Sequence, residues 1–149
     1  MYSNWPLNLL VVLLTALVVA LTVLVHYEGL DWLSARLAAS HTKQRRKVLY
    51  GIYAVIAIHI VEIWLFGVIY WALLKVPSAG SLQQLGSRDL LDAVYFSAVT
   101  FTTVGFGDLL PVGPIRFLAG TEALTGFILI TWSASFTFLE MARFWRQPR

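Results

Sequence analysis

Cysteine is absent from this 149-residue chain, and charged side chains are scarce, at 13%. Without cysteine the chain has no disulfide bonds, no thiolate metal sites and no thiol catalysis. The scarcity of charge accompanies a hydrophobic content of 58% and a mean hydropathy of +0.73. These values lie well above the roughly half-apolar composition of soluble domains, so we predict that the chain resides in a lipid bilayer.

Lysine and arginine are absent before Arg36. A voltage sensor needs one of them at every third position of a membrane helix, and neither of the first two apolar runs contains such a series. Voltage gating by a sensor helix is therefore not expected. The same absence leaves the N-terminal run without the basic flank of a secretory signal, and we expect this run to be retained as a membrane helix.

Three apolar runs are long enough to cross about 30 Å of hydrocarbon. They cover residues 7–25, 48–74 and 115–139, and a fourth run, residues 90–102, is too short to cross. A short segment at membrane depth is tolerated only where protein or water encloses it. We therefore predict an all-α membrane protein with three transmembrane helices and one re-entrant helix.

The short apolar run leads into the sequence TTVGFGD at residues 102–108. Gly105 and Gly107 can adopt positive φ angles at little steric cost, which allows successive carbonyl oxygens to face one side. Rings of such carbonyls, one segment from each of four chains, replace the hydration shell of K+ in a selectivity filter. A tight turn with incidental glycines is the alternative, and the apolar, aromatic run before the motif argues against it.

This motif and its flanks, over residues 48–144, resemble the pore module of the tetrameric potassium-channel family. The resemblance implies a homotetramer in which each chain supplies one quarter of a pore that conducts K+ passively. The third crossing would line the axis and the first would be peripheral. No cofactor other than K+ as the permeant ion, no enzymatic activity and no nucleic-acid partner are expected. The resemblance implies a filter made of Thr103, Val104, Gly105, Phe106 and Gly107. K+ is implied at the first four of these residues.

The resemblance also divides the chain into two parts. Residues 1–47 would form the first crossing and a cytoplasmic basic linker, and residues 48–149 would form the pore domain. The pore domain would consist of an outer helix at residues 48–74, a turret at 75–87, a pore helix with the filter at 88–108, and an inner helix at 115–139.

Three residues around the filter receive supporting roles from the resemblance, namely Tyr95 and Phe96 on the pore helix and Asp108 after the filter. Many members of the family have tyrosine where this chain has Phe106. The missing hydroxyl leads us to predict a filter more prone to collapse. Some members have a glutamate, here Val99, that pairs with the aspartate, so Asp108 is predicted to find another donor or to remain hydrated.

The start of the pore helix carries polar residues that suit a helix N-terminus. Ser87 is predicted as the N-cap. Asp89 and Asp92 would then lie in the first turns, where carboxylates complement the positive end of the helix dipole. The negative end, near Thr102, would favour a cation in the cavity below the filter.

The predicted inner helix contains Gly126 near the spacing at which related channels place a hinge. Glycine loosens a helix interior, and it also allows close packing of membrane helices, so gating and packing stay open as roles. Phe127, Thr131, Ser135 and Phe138 fall on one helical face. We predict that this face lines a water-filled cavity with Phe138 as its inner constriction.

Three ionisable residues lie within the crossings, where they are costly without a partner. His59 and Glu62 share a helix face and could hydrogen-bond each other, or Glu62 could reach the pore helix. Glu122 lies on the inner helix. Proton sensing by this set is one hypothesis and polar packing between helices is the other; unchanged pH profiles of the currents in Glu122→Gln and His59→Ala would contradict proton sensing.

Basic residues indicate the orientation, because lysine and arginine favour cytoplasmic loops. The chain is therefore predicted to be a multi-pass protein of the plasma or inner membrane with its N-terminus and filter outside and its C-terminus in the cytoplasm. Anionic lipid headgroups are the expected partners of the basic linker. Leu30, Leu33 and Leu37 in this linker indicate a short amphipathic helix at headgroup level, and a simple linker is the alternative. The basic residues in question are Arg36, Lys43, Arg45, Arg46, Lys47, Arg143, Arg146 and Arg149.

Three other functions are alternatives to a potassium-selective channel. A poorly selective cation channel would use the same scaffold, and a non-conducting subunit would modify other channels. An intramembrane hydrolase would need a metal at His59 and Glu62. The sequence contains no third ligand at a recognisable spacing, no His-Glu-x-x-His pair and no nucleophile elbow, which argues against the hydrolase.

Overall fold

The computed structural model of the chain describes residues 4–40, 44–76, 78–83 and 89–145, without the side chains of residues 44, 144 and 145. The elements within these residues are α1 Trp5–Ala39, α2 Gln44–Leu74, β1 Ser81–Gln83, α3 Leu90–Phe101, β2 Leu110–Val112 and α4 Ile115–Trp145. Helices α1, α2 and α4 are long and apolar enough to cross a membrane, whereas α3 is a shorter apolar helix. The predicted class of all-α membrane protein is therefore confirmed.

Helix α1 is one continuous helix of 35 residues. Pro6 lies in its first turn, where the missing N–H has no helical partner to lose, and no later proline interrupts it. The prediction of a separate amphipathic helix or linker at Leu30, Leu33 and Leu37 is wrong, because these leucines extend the buried face of α1. That face repeats every three or four residues: Leu7, Val11, Thr15, Val18, Thr22, His26, Leu30, Leu33 and Leu37.

The buried face of α1 packs against both α2 and α4. The first crossing is therefore integrated with the outer and inner helices of its own chain. Gly29 permits the close approach to α2, because a Cβ there would lie 2.8 Å from the Ile58 side chain.

The other long helices extend beyond the predicted crossings. Helix α2 begins at Gln44, four residues before the predicted start, and α4 continues past residue 139 to Trp145. Hydrophobicity marks the part of a helix that lies in hydrocarbon, whereas arginine and lysine are good helix formers that allow the helix to continue into the headgroups.

Strands β1 and β2 form a small antiparallel sheet outside the helices, with Ser81 opposite Val112 and Gln83 opposite Leu110. No strand was predicted in the turret, residues 75–87, or after the filter, so this sheet is a correction. It joins the segment before α3 to the segment after the filter. Two glycines with positive φ, Gly80 and Gly113, bring these segments together, because a Cβ on Gly113 would lie 3.1 Å from the Gly80 Cα.

Helix α3 packs behind the filter between α2 and α4. Asp89 occupies its N-cap position and Asp92 lies in its first turn. The predicted cap, Ser87, lies outside the described residues. Three of the basic residues used to predict the orientation, Lys43, Arg146 and Arg149, also lie outside them. Gly67 of α2 permits the close contact with α3, since a Cβ there would lie 2.9 Å from the Val94 Cα.

Candidate ion-conducting site

The chain leaves α3 through a tight backbone arrangement. The Thr102 N–H donates to the Ala98 carbonyl at 3.1 Å, and the Gly105 N–H donates to the Val99 carbonyl at 3.0 Å. The Thr102 hydroxyl also donates to the Ala98 carbonyl, at 2.7 Å. The start of the filter segment is therefore tied to the last turns of the pore helix.

The filter segment alternates between two backbone conformations. Thr103, Gly105 and Gly107 have φ angles of +58°, +52° and +79°, whereas Val104 and Phe106 are not in the positive region. The two glycines thus have the conformation predicted from the sequence. Thr103 is a β-branched residue in a region that such residues seldom occupy, and no sequence pattern indicated this. The assignment of these residues as K+ ligands stays a prediction.

Every residue from 102 to 108 is exposed on the single chain. Phe106 is 69% exposed although it is aromatic, and no atom of the described residues, apart from the immediate chain neighbours, lies within 4 Å of a Cβ built on Gly105 or Gly107. These glycines are thus required by backbone conformation and not by crowding within the chain.

Helix α4 exposes one continuous stripe of mostly apolar residues. The predicted cavity-lining residues lie in this stripe, and Phe138 is 69% exposed. Large exposed apolar surfaces mark contacts with protein or lipid. The stripe consists of Phe117, Gly120, Leu124, Phe127, Thr131, Ser135 and Phe138.

The two aromatic residues predicted to support the filter have different environments. The Tyr95 hydroxyl donates to the Asp108 carboxylate at 2.7 Å, so Tyr95 is the donor that Asp108 was predicted to need. This hydrogen bond raises the pKa of the Tyr95 phenol. Phe96 is buried and packs edge-on against Tyr70, with ring centroids 4.9 Å apart.

Glu122 connects three helices behind the filter. Its carboxylate accepts a hydrogen bond of 2.6 Å from Tyr70 of α2 and another from Ser97 of α3. All three side chains are fully buried. The carboxylate therefore holds the pore helix between the outer and inner helices.

Gly126 lies at the contact between α4 and the end of α3. A Cβ on Gly126 would overlap the carbonyl oxygen of Phe101 and lie 2.8 Å from its carbonyl carbon. This geometry favours the packing role over the hinge role. It also means that Gly126→Ala disturbs packing whatever the glycine does in gating.

A second polar cluster joins α1 to α2. Glu62 lies 2.8 Å from His26 Nδ1 and 2.7 Å from His59 Nδ1, one carboxylate oxygen to each imidazole. His26 and Glu62 are fully buried, and the His59 side chain is 17% exposed. The predicted bond between His59 and Glu62 is confirmed. The alternative, that Glu62 reaches the pore helix, is wrong, because its two carboxylate oxygens contact the two histidines. The carboxylate that contacts the pore helix is Glu122.

The three ionisable residues predicted as one set therefore belong to two separate clusters. His26 was missed because it follows the apolar run by one residue and meets Glu62 across 36 residues of sequence. It also provides the third histidine or carboxylate ligand, which could not be recognised from its spacing in the sequence. Tyr70 and Ser97 carried no signal beyond being polar groups in apolar runs.

The structure brings together a pore helix, an exposed glycine-containing segment and a long inner helix, and comparison with known proteins agrees with this arrangement. A family model described as "Ion channel" matches residues 58–142, more than half of the chain. The chain belongs to this ion-channel family. This agrees with the predicted resemblance to the potassium-channel pore module, and a potassium channel is among the proteins to which the chain is similar.

Three curated relatives match parts of the chain. Protein LctB of Bacillus caldotenax is 40% identical over 53 residues, which are 36% of this chain and 40% of that protein. Protein LctB of Geobacillus stearothermophilus is 48% identical over 53 residues, 36% of this chain and 38% of that protein. The inward rectifier potassium channel Kirbac3.1 of Paramagnetospirillum magnetotacticum is 31% identical over 74 residues, 49% of this chain and 25% of that protein.

The chain thus spans well under half the length of each of these relatives. No solved structure matches it. The family match begins at residue 58, so the whole of α1, including His26, lies outside the part that defines the family.

Proposed function

We propose that the chain is one subunit of a homotetrameric, potassium-selective channel that conducts K+ passively and has no voltage-sensor helix. Four filter segments would meet on a common axis, and the carbonyl oxygens of Thr103, Val104, Gly105 and Phe106 would replace the hydration shell of K+. The observation that carries this proposal is the exposed segment at the end of α3, in which every second residue has a positive φ angle.

Exposure on the single chain supports assembly around an axis. Backbone polar groups that lie at membrane depth without a helix or sheet are tolerated only in contact with protein or water, and residues 102–108 are exposed without such cover. The mostly apolar stripe on α4 also marks a contact with protein or lipid. Neighbouring copies would enclose both, and Phe138 would form a ring at the inner end of the cavity.

The outer mouth has a support of its own. The bond between Tyr95 and Asp108 ties the residue after the filter to the pore helix, and Phe96 packs the same helix against α2 through Tyr70. We assign both aromatic residues to holding the filter in place.

The ends of the helices support the proposed orientation. Asn4 and Leu7 at the start of α1 line a cavity together with Gly80 and Pro114 of the outer loops, which supports an N-terminus on the same side as the filter. Five of the seven described lysine and arginine residues lie at the opposite ends of the helices, and the other two, Lys75 and Arg116, lie on the filter side. We therefore place the N-terminus and filter outside and the C-terminus in the cytoplasm.

A cavity of about 520 Å³ between the cytoplasmic ends of α1 and α2 is lined by Arg36, Arg46 and Lys47. Lys47 donates to the Leu37 carbonyl at 2.9 Å, at the end of α1. Clusters of basic residues at this depth bind anionic headgroups, which are the proposed lipid partners. Arg46→Gln should weaken binding to vesicles that contain phosphatidylserine, and equal binding would contradict the assignment.

The function is tested by ion flux from liposomes that contain the purified chain. We expect K+ flux far above Na+ flux and block by Ba2+. Equal K+ and Na+ fluxes would identify a poorly selective cation channel, and no flux from folded tetramers would identify a non-conducting subunit.

Two glycine variants connect this flux to the filter. Gly105→Ala should abolish selective flux, because alanine is strained at a φ angle of +52° although nothing crowds its Cβ. Gly51→Ala on α2 is the matched control, since its Cβ would make an ordinary contact of 3.7 Å with Leu37. Selective flux in Gly105→Ala equal to that of the control would contradict the filter assignment.

A further inference from the structure

The cluster of His26, His59 and Glu62 has the composition of a metal site. Two imidazoles and one carboxylate offer donor atoms that all lie within 4.8 Å of one another. Two histidines and a glutamate hold zinc in several enzymes, with the fourth coordination position left open. We propose that these three residues bind a divalent transition metal of the zinc type and that the metal links α1 to α2.

The distances suit a metal with a small adjustment of the side chains. Zinc binds imidazole nitrogen at about 2.0–2.1 Å and carboxylate oxygen at about 2.0–2.2 Å, so tetrahedral ligand atoms lie about 3.3 Å apart. The two contacts from histidine nitrogen to Glu62 oxygen are 2.8 and 2.7 Å. Separating each of these two pairs by about half an ångström, and bringing the two histidine ligand atoms, which lie within 4.8 Å of each other, to the same spacing would admit the ion.

The cluster also contains unused hydrogen-bonding capacity. Among the described residues, buried side-chain atoms without a hydrogen-bond partner are Thr22 Oγ1, His26 Nε2 and Ser133 Oγ. Thr22 lies one turn before His26 on the buried face of α1. Ser133 follows Trp132, whose ring centroid lies 5.1 Å from that of His26. A water molecule in the fourth metal position would find hydrogen-bond partners in this region.

The donor types determine which metal the site prefers. Imidazole nitrogen suits zinc, copper and nickel, whereas magnesium and calcium prefer sites made entirely of oxygen. With the carboxylate ionised, Glu62 only accepts hydrogen bonds, so each histidine carries a proton on Nδ1. Metal binding at Nδ1 needs the neutral imidazole with its proton on the other nitrogen, so this proton moves from Nδ1 to Nε2. The His59 side chain, 17% exposed, is the ligand nearest the surface of the chain.

The position of the cluster gives the metal a role in the channel. The His59 ring lies 5.8 Å from that of Phe101, the last residue of the pore helix, and His26 contacts Trp132 of α4. A metal bound here would fix the N-terminal helix to the outer helix beside both pore-lining elements. The N-terminal helix would then serve as a metal-dependent brace of the pore.

The test measures metal binding by the purified full-length chain, with Co2+ as a spectroscopic probe and Zn2+ as its competitor. We expect one Co2+ per chain with the visible absorption of a tetrahedral site, displaced by Zn2+. His26→Asn keeps an N–H donor for Glu62 and removes the metal ligand. Glu62→Gln keeps the shape and removes the charge. Each should weaken binding by at least about tenfold.

His41→Asn is the matched control, because it removes the third histidine of the chain and should leave binding unchanged. Thermal unfolding gives a second measurement, since a metal that binds only the folded state raises the unfolding midpoint. Zn2+ should raise the midpoint of the wild type and of His41→Asn but not that of His26→Asn. If His26→Asn does not fold, His59→Asn at the partly exposed edge replaces it.

The proposal is overturned if the wild type shows no saturable Co2+ absorption, or if His26→Asn, Glu62→Gln and the control bind equally. None of these measurements uses ion flux. Failure of the metal site is therefore distinguishable from failure of the proposed channel function.

Discussion

The hydrogen bond from Tyr70 to Glu122 provides a sharp test of how the pore helix is held in place. Tyr70→Phe keeps the ring that packs against Phe96 and removes only the hydroxyl, whose oxygen lies 2.6 Å from the carboxylate. Hydrogen bonds between membrane helices average about 0.6 kcal/mol and reach about 1.7 kcal/mol, and a buried acceptor that loses its donor costs about 1–3 kcal/mol. Because both partners are fully buried, we expect a loss of about 1.5–2 kcal/mol.

The loss is measured as the change in free energy of unfolding in denaturant, with Tyr53→Phe as the control on the same helix, where the side chain is 70% exposed. Ser97→Ala removes the other donor to the same carboxylate. The double variant should lose more than the sum of the single losses, because both donors to the buried carboxylate are then gone. A Tyr70→Phe loss equal to that of the control, or strict additivity, would refute the view that Glu122 joins the three helices.

Three further predictions concern the filter and its surroundings. Phe106→Tyr should lengthen open times in bilayer recordings by restoring a hydroxyl that supports the filter, and unchanged lifetimes and selectivity would contradict the predicted tendency to collapse. Gly126→Ala should destabilise the protein by about 1–3 kcal/mol through overpacking against Phe101, and a fully stable variant with altered opening would favour a hinge instead. Tyr95→Phe should reduce sustained K+ flux, because it removes the hydroxyl that donates to Asp108. Asp108→Asn keeps an acceptor oxygen and should reduce the flux less. If the two variants have the same K+ flux as each other, a supporting hydrogen bond is contradicted.

The long helices and the filter conformation were predictable from the sequence because both depend on local properties. Apolar runs identify crossings through their length, and Gly105 and Gly107 indicate positive φ angles through the absence of Cβ. The ends of the helices were not predictable in the same way, because hydrophobicity stops at the headgroups whereas helical hydrogen bonding continues. The prediction of a separate segment around Leu33 failed for this reason.

Contacts between distant parts of the chain were the hardest to predict. The partners of Glu122 lie 52 and 25 residues away, and the relative rotation of the helices decides which side chains meet. His26 had no local pattern that pointed to Glu62. Strands of three residues, such as β1 and β2, are shorter than the alternating runs by which strands are recognised in sequence.

The length of α1 has a consequence for how the channel responds to its surroundings. Thirty-five residues of helix extend about 52 Å, well beyond a hydrocarbon layer of about 30 Å. A thinner or thicker bilayer changes the tilt of such a rod, and α1 has no break at which the tilt could be absorbed before it reaches the inner helix. We expect K+ flux to vary with the acyl-chain length of the liposome lipid, and flux that is independent of chain length would show that the rod is mechanically uncoupled from the pore.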